Sequence, residues 1–193
     1  MKNVIRLSVV TLLLCMSLQV SAAEGLAVKV NEKSIVVEVG NSVKGATLTL
    51  KDMDGAILFR DGLMDGRSYN RALSLEDVPE GIYYLHFEDD FHIYTKKITK
   101  SKEGLFVEAK TSGVVFKPVF KVDDRKVKFS LPNPEGSLTE VRIYDSSGEL
   151  MGTMMYKETV VSKTLDFSKV APGEYEIEIK TKSNTFNKVM NLG

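Results

Sequence analysis

Apolar and polar residues alternate along most of this chain. The clearest runs are Ile35/Val37/Val39, Leu48/Leu50, Val127/Phe129, Val141/Ile143 and Tyr175/Ile177/Ile179. A period of two sends one set of side chains to one face of a sheet and the rest to the other, so each run predicts a half-buried strand. Turn-forming pairs separate the runs: Gly40-Asn41, Asp54-Gly55, Asp65-Gly66, Glu80-Gly81, Asn133-Pro134 and Ser147-Gly148. Short strands with turns at this spacing predict antiparallel sandwiches. Asp54-Gly55 suits a tight hairpin, where a positive φ is needed. Beyond the N-terminus no stretch keeps helical spacing over three turns. Ser68 to Val78 is ambiguous, but its counterpart Thr159 to Val170 contains Thr159-Val160-Val161 and favours a strand followed by a short turn.

That counterpart belongs to an internal repeat. Leu48 to Leu58 (LTLKDMDGAIL) matches Val141 to Leu150 (VRIYDSSGEL) at an offset of 93 residues. Leu73 to Tyr83 (LSLEDVPEGIY) matches Leu165 to Tyr175 (LDFSKVAPGEY) at an offset of 92. The expected architecture is all-β: two tandem small antiparallel β-sandwich (Ig-like) domains of about seven strands each, over residues 24–100 and 114–193. Residues 101–113 are either a linker or one extra edge strand.

The first 23 residues differ from the rest. Lys2 and Arg6 precede an apolar run from Leu7 to Leu18, and small residues follow at Ser21-Ala22-Ala23. This is the layout of a secretory signal peptide; twelve residues fall short of the roughly 20 a spanning helix needs, and no later segment approaches that length. Removing residues 1–23 changes the balance of 26 basic and 26 acidic side chains to 24 against 26, a charge of −2. It also removes Cys15, the one cysteine, leaving no disulfide or thiolate metal site. With no basic excess, nucleic acid is not an expected partner.

Candidate chemistry is sparse. Asp52-Met53-Asp54-Gly55 resembles part of a calcium loop, but the twelfth position, where such a loop needs glutamate, is Leu63. Asp61, Asp65, Asp89 and Asp90 fall in expected turns. His86 and His92 bracket the Asp89-Asp90 turn and could approach across a hairpin, although His86 alternates with core positions and should point outward. Lys96, Lys97 and Lys100 read as an exposed edge strand guarded against aggregation. No nucleophile elbow or phosphate loop occurs. The chain is therefore expected to be non-enzymatic, with no cofactor and no metal site. Tyr84, Phe91 and Tyr94, near the last strands of the first repeat, are the candidates for holding a surface protein or a glycan.

The second repeat carries Leu131-Pro132-Asn133-Pro134, then the Val141 to Leu150 motif, Leu165-Asp166-Phe167-Ser168, Ala171-Pro172-Gly173-Glu174-Tyr175 and a final strand with Lys188-Val189. It resembles the C-terminal sorting domain (type A) of the type IX secretion system of Bacteroidetes. The resemblance implies a β-sandwich recognised by outer-membrane secretion machinery, and a secreted or cell-surface protein. Asn133, Pro134, Gly148, Pro172, Gly173, Tyr175 and Lys188 are the sorting-motif residues it implies. The alternative is a periplasmic or cell-surface tandem module for binding or adhesion.

Overall fold

The computed structural model describes residues 26–41, 44–109 and 113–193. The expected signal peptide lies outside the described residues. Strands account for all the regular structure described, and no helix among these residues is long and apolar enough to cross a membrane.

The first unit contains β1 (Leu26–Asn31), β2 (Ser34–Val39), β3 (Thr47–Asp52), β4 (Ile57–Gly62), β5 (Tyr69–Ser74), β6 (Gly81–Glu88), β7 (His92–Ser101) and β8 (Gly104–Val107). After β9 (Gly113–Phe116) come β10 (Val119–Asp123), β11 (Lys126–Pro132), β12 (Thr139–Asp145), β13 (Leu150–Tyr156), β14 (Val160–Asp166), β15 (Gly173–Lys180) and β16 (Thr185–Leu192). The first unit stacks a β1-β2-β5 sheet on a β4-β3-β6-β7-β8 sheet; the second stacks β10-β11-β14 on β13-β12-β15-β16. Adding nine to each strand number of the first unit, up to β7, reproduces the second. Every pairing is antiparallel, so short turns suffice to connect neighbours.

The alternation seen in the sequence is what each sandwich buries. Ile35, Val37 and Val39 of β2 face Leu48, Leu50, Leu85 and Ile98 in one core. Val127, Phe129 and Leu131 of β11 face Val141, Ile177 and Ile179 in the other. Fully burying each such side chain stabilises by about 1.5–3 kcal/mol, and a one-residue register slip would turn all of them to solvent.

The turns repeat as well. At Asp52 the side-chain Oδ1 accepts from the amides of Asp54 (3.0 Å) and Ala56 (2.8 Å), and Gly55 N–H donates to the Asp52 carbonyl (3.2 Å). At Asp145 the same oxygen accepts from the amides of Ser147 and Glu149 (both 2.9 Å), and Gly148 N–H donates to the Asp145 carbonyl (3.0 Å). Gly55 and Gly148 have φ of +86° and +81°, a region that favours glycine. The loop is longer than a two-residue hairpin, because a bulge shifts the register at Leu50/Lys51 and at Ile143/Tyr144.

The two units differ at one sheet edge. Residues 104–107 form β8, paired with Ile98–Ser101 of β7. Gly113–Phe116, of which Val114–Phe116 was placed with the second repeat by the sequence reading, forms β9 on His92–Thr95 of the same strand. The lysines read as guarding an exposed edge are therefore not at one. Lys96 is only 7% exposed and its Nζ donates to the Ala109 carbonyl (3.2 Å). Lys97 pairs with Glu108 (3.1 Å), and Lys100 donates to the carbonyls of Leu75, Glu76 and Val78 (2.6–2.8 Å). The sequence pattern marks β7 as the last strand of its repeat; only the return of the following segment shows that its edge is covered.

Candidate functional site: the joint between the sandwiches

Lys117 carries the chain from one unit to the other. Its N–H donates to the Phe91 carbonyl (2.7 Å), and its Nζ donates to Glu88 Oε1 (2.9 Å) and to the Asp89 carbonyl (2.8 Å). Phe116 beside it packs edge-on against His92 (5.4 Å between centroids) and also against the core of the second unit. Two clefts open on either side of this joint. One, of about 350 Å³, lies between Val114–Phe116, Leu131–Glu135 and Thr181–Ser183. The other, of about 630 Å³, lies between Asp90-Phe91, Lys117–Phe120 and Thr185–Lys188.

The larger cleft brings together Phe91, nominated for partner binding, and Lys188, nominated through the sorting motif. Phe91 is 49% exposed. Lys188 lies on β16 opposite Ile177 and is exposed; its side chain makes no hydrogen bond or ion pair among the described residues. The other two nominated aromatics part company. Tyr94 is turned inward, stacked on Phe87 (6.1 Å) against the first core. Tyr84 is on the outer face, stacked on His86 (6.5 Å). Register alone separates them: Tyr94 pairs with the buried Phe87, while Tyr84 alternates with the buried Tyr83 and Leu85.

The remaining motif residues hold the second sandwich. Asn133, 7% exposed, donates through Nδ2 to the carbonyls of Ser137 (2.8 Å) and Glu158 (2.9 Å) and accepts at Oδ1 from Ser137 Oγ (3.0 Å). Pro134 next to it is exposed on the rim of the smaller cleft. Gly148, Pro172 and Gly173 sit at the opposite end, where Gly173 pairs with Leu192. Tyr175 is buried, its hydroxyl donating to the Ala171 carbonyl (2.5 Å) and its ring against Phe167 (5.1 Å).

Asp61, Asp89 and the two histidines serve the scaffold. Asp61 Oδ2 accepts from Arg71 (2.6 Å) and the Tyr69 hydroxyl (3.1 Å). Burial first, and that carboxylate second, hold the Tyr69 phenol above its ordinary value. Asp89 Oδ1 accepts from the amides of Phe91 (2.7 Å) and His92 (2.6 Å). The histidines do not meet over a shared ligand site: His86 Nδ1 lies 3.0 Å from Thr95 Oγ1, and His92 Nδ1 lies 3.4 Å from Asp89. Burial first, then the Lys51 charge, depresses His86 below the ordinary histidine pKa. Sequence reasoning missed Phe120 and Phe186 as cleft walls and Lys117 as the joint. Phe186 was within reach of the repeat, since an offset of 92 maps it onto Tyr94.

Comparison with known proteins finds a family match within the second unit. Residues 123–191 match the family model of the secretion system C-terminal sorting domain. The segment runs from the end of β10 to the end of β16 and contains all seven motif residues named above. Such a domain is recognised by the type IX secretion machinery and marks a secreted or cell-surface protein. No curated protein matches the chain. Among solved structures, the BSP domain of a biofilm associated protein is similar at 10% identity and TM-score 0.30, over 86% of this chain and 29% of that one. The human OSCAR ligand-binding domain is similar at 12% and 0.25, over 86% and 96%. A β-glucuronidase of an uncultured Clostridium sp. is similar at 11% and 0.30, over 82% and 35%. The chain thus spans less than a third of the first of these, and none of the three likenesses bears on function.

Proposed function

We propose that the chain is a small non-enzymatic protein of a Bacteroidetes-type bacterium, exported through the outer membrane on its second sandwich, with the first sandwich as the part delivered. One observation carries the reading: the sorting-domain match falls on a self-contained unit with its own core, joined to the first through Lys117-Pro118. The shared topology and turn bonds favour descent of both units from one such module. Asp61 and Asp89 are taken up by an ion pair and a turn, which favours a binding or delivery role for the first unit over an enzymatic one.

The test is fractionation of native cells with intact-mass analysis, comparing the whole chain with one ending at Lys117. The whole chain should reach the cell surface or medium, and the shortened chain should stay in the periplasm. Equal localisation of the two would overturn the reading. Phe91, exposed on the cleft, favours the second reading of a tandem binding module, and retention of both forms in the periplasm with residue 193 intact is the result that module predicts.

A further inference from the structure

Lys96 and Lys188 are equivalent residues with different surroundings. Lys96 pairs with Leu85 on β7, and Lys188 pairs with Ile177 on β16; each pair is offset from the other by 92 residues. In the first unit a covering segment lies along β7. Val107 pairs with Ile98 and Gly113 with Thr95, so the paired stretches of the cover flank Lys96 and Lys97. Between these stretches Lys96 Nζ donates to the Ala109 carbonyl, just beyond the end of β8. β8 also touches β1, so the cover closes the mouth between the two sheets. In the second unit β16 is the last strand of its sheet among the described residues. The equivalent mouth, between Val119-Phe120 and Thr185–Lys188, is the open cleft of about 630 Å³.

We propose that the β16 edge takes up an extended strand from a partner polypeptide, added antiparallel as β8 and β9 are added to β7, with Lys188 donating to a main-chain carbonyl of that strand as Lys96 donates to Ala109. Strand addition supplies affinity through backbone hydrogen bonds, and alternate side chains supply selectivity. The neighbouring position defines the partner's chemistry. Lys97 of β7 faces Glu108 of its cover, with Glu108 N–H on the Lys97 carbonyl (3.1 Å). Its equivalent on β16 is Val189, 52% exposed. The partner strand therefore carries an apolar residue where the cover carries Glu108. The inference rests on the export reading only for which protein supplies the strand.

The probe is a peptide of residues 102–117 of this chain, in its own sequence and with Glu108→Leu, added to the purified chain from residue 24 onward. The Glu108→Leu peptide should bind more tightly and slow amide exchange along β16. Lys188→Met should weaken it about tenfold, the loss of roughly one charge-assisted hydrogen bond. Val189→Lys should reverse the preference toward the peptide that keeps Glu108. Protection confined to another strand, no effect of Lys188→Met, or an unaltered preference in Val189→Lys would overturn the proposal. So would concentration-dependent protection of β16 without peptide, which would show a second copy as the occupant. The measurement uses purified chain, so its failure leaves the export reading standing, and a failed localisation assay leaves this one.

Discussion

Tyr83 and Tyr175 stand 92 residues apart and make the same hydrogen bond: each buried hydroxyl donates, at 2.5 Å, to the carbonyl four residues earlier, that of Pro79 or Ala171. Each thereby fixes the turn that leads into the central strand of its larger sheet. Tyr83→Phe and Tyr175→Phe should each cost about 1–3 kcal/mol, because the carbonyl left behind loses its partner. Chemical denaturation of the two variants measures this. A loss below about 0.5 kcal/mol in both would show that water replaces the bond.

Asn133 ties the end of β11 to Ser137 and Glu158 through three side-chain hydrogen bonds. Asn133→Ala should destabilise by about 1–3 kcal/mol. Asn133→Asp should not rescue it, since a carboxylate cannot donate to the two carbonyls. Rescue by Asp would place the contribution in the Oδ1 contact instead.

Glycine matters differently at two turns. A Cβ at Gly148 meets nothing within 4 Å, so Gly148→Ala should cost only the conformational penalty of φ +81°, about 1–2 kcal/mol. At Gly136, with φ +59°, a Cβ would also lie 3.3 Å from the Lys157 carbonyl, so Gly136→Ala should cost more. Thermal melts of the pair decide the order.

Asp145 responds to acid. The Ser147 hydroxyl first, and the Glu149 amide second, hold its carboxyl below the ordinary aspartate value. A depressed carboxylate stabilises the fold above its unfolded pKa, about 3.9, and that contribution fades as pH falls through the lower folded value. NMR titration should therefore find Asp145 still ionised where ordinary aspartates are half protonated. Asp145→Asn should flatten the stability profile below about pH 4.

The first sandwich should need β9. A fragment of residues 24–117 keeps Gly113–Phe116 on β7, whereas one of residues 24–108 uncovers His92–Thr95. Unpaired edges recruit other strands, so sedimentation should show the longer fragment monomeric and the shorter one self-associating.

Much of the fold was legible in the sequence because the side-chain period encodes which face is buried, without reference to neighbours. Ile35, Val37 and Val39 pointed inward on that ground alone, as did Tyr175, Ile177 and Ile179. The repeat likewise pairs Asp52 with Asp145 and Tyr83 with Tyr175 from the sequence alone. The candidate site was legible only in pieces. Phe91 and Lys188 were each nominated, but nothing in a sequence states that a turn of one sandwich and a strand of the other border one cleft.

By itself the sequence determined the strands, their inward faces, the turn chemistry and the resemblance of the second unit to a sorting domain. All of these are set by residues close in the chain or by their periodicity. Tertiary structure alone decided the fate of the sheet edges. Lys96 and Lys188 occupy the same place in the repeat, yet one is buried beneath a returning strand and the other is open to solvent. The alternation of a strand specifies its two faces but carries no information about what pairs with its edge. That depends on where the following segment runs, and here Gly104–Val107 and Gly113–Phe116 return to β7 before the second sandwich begins.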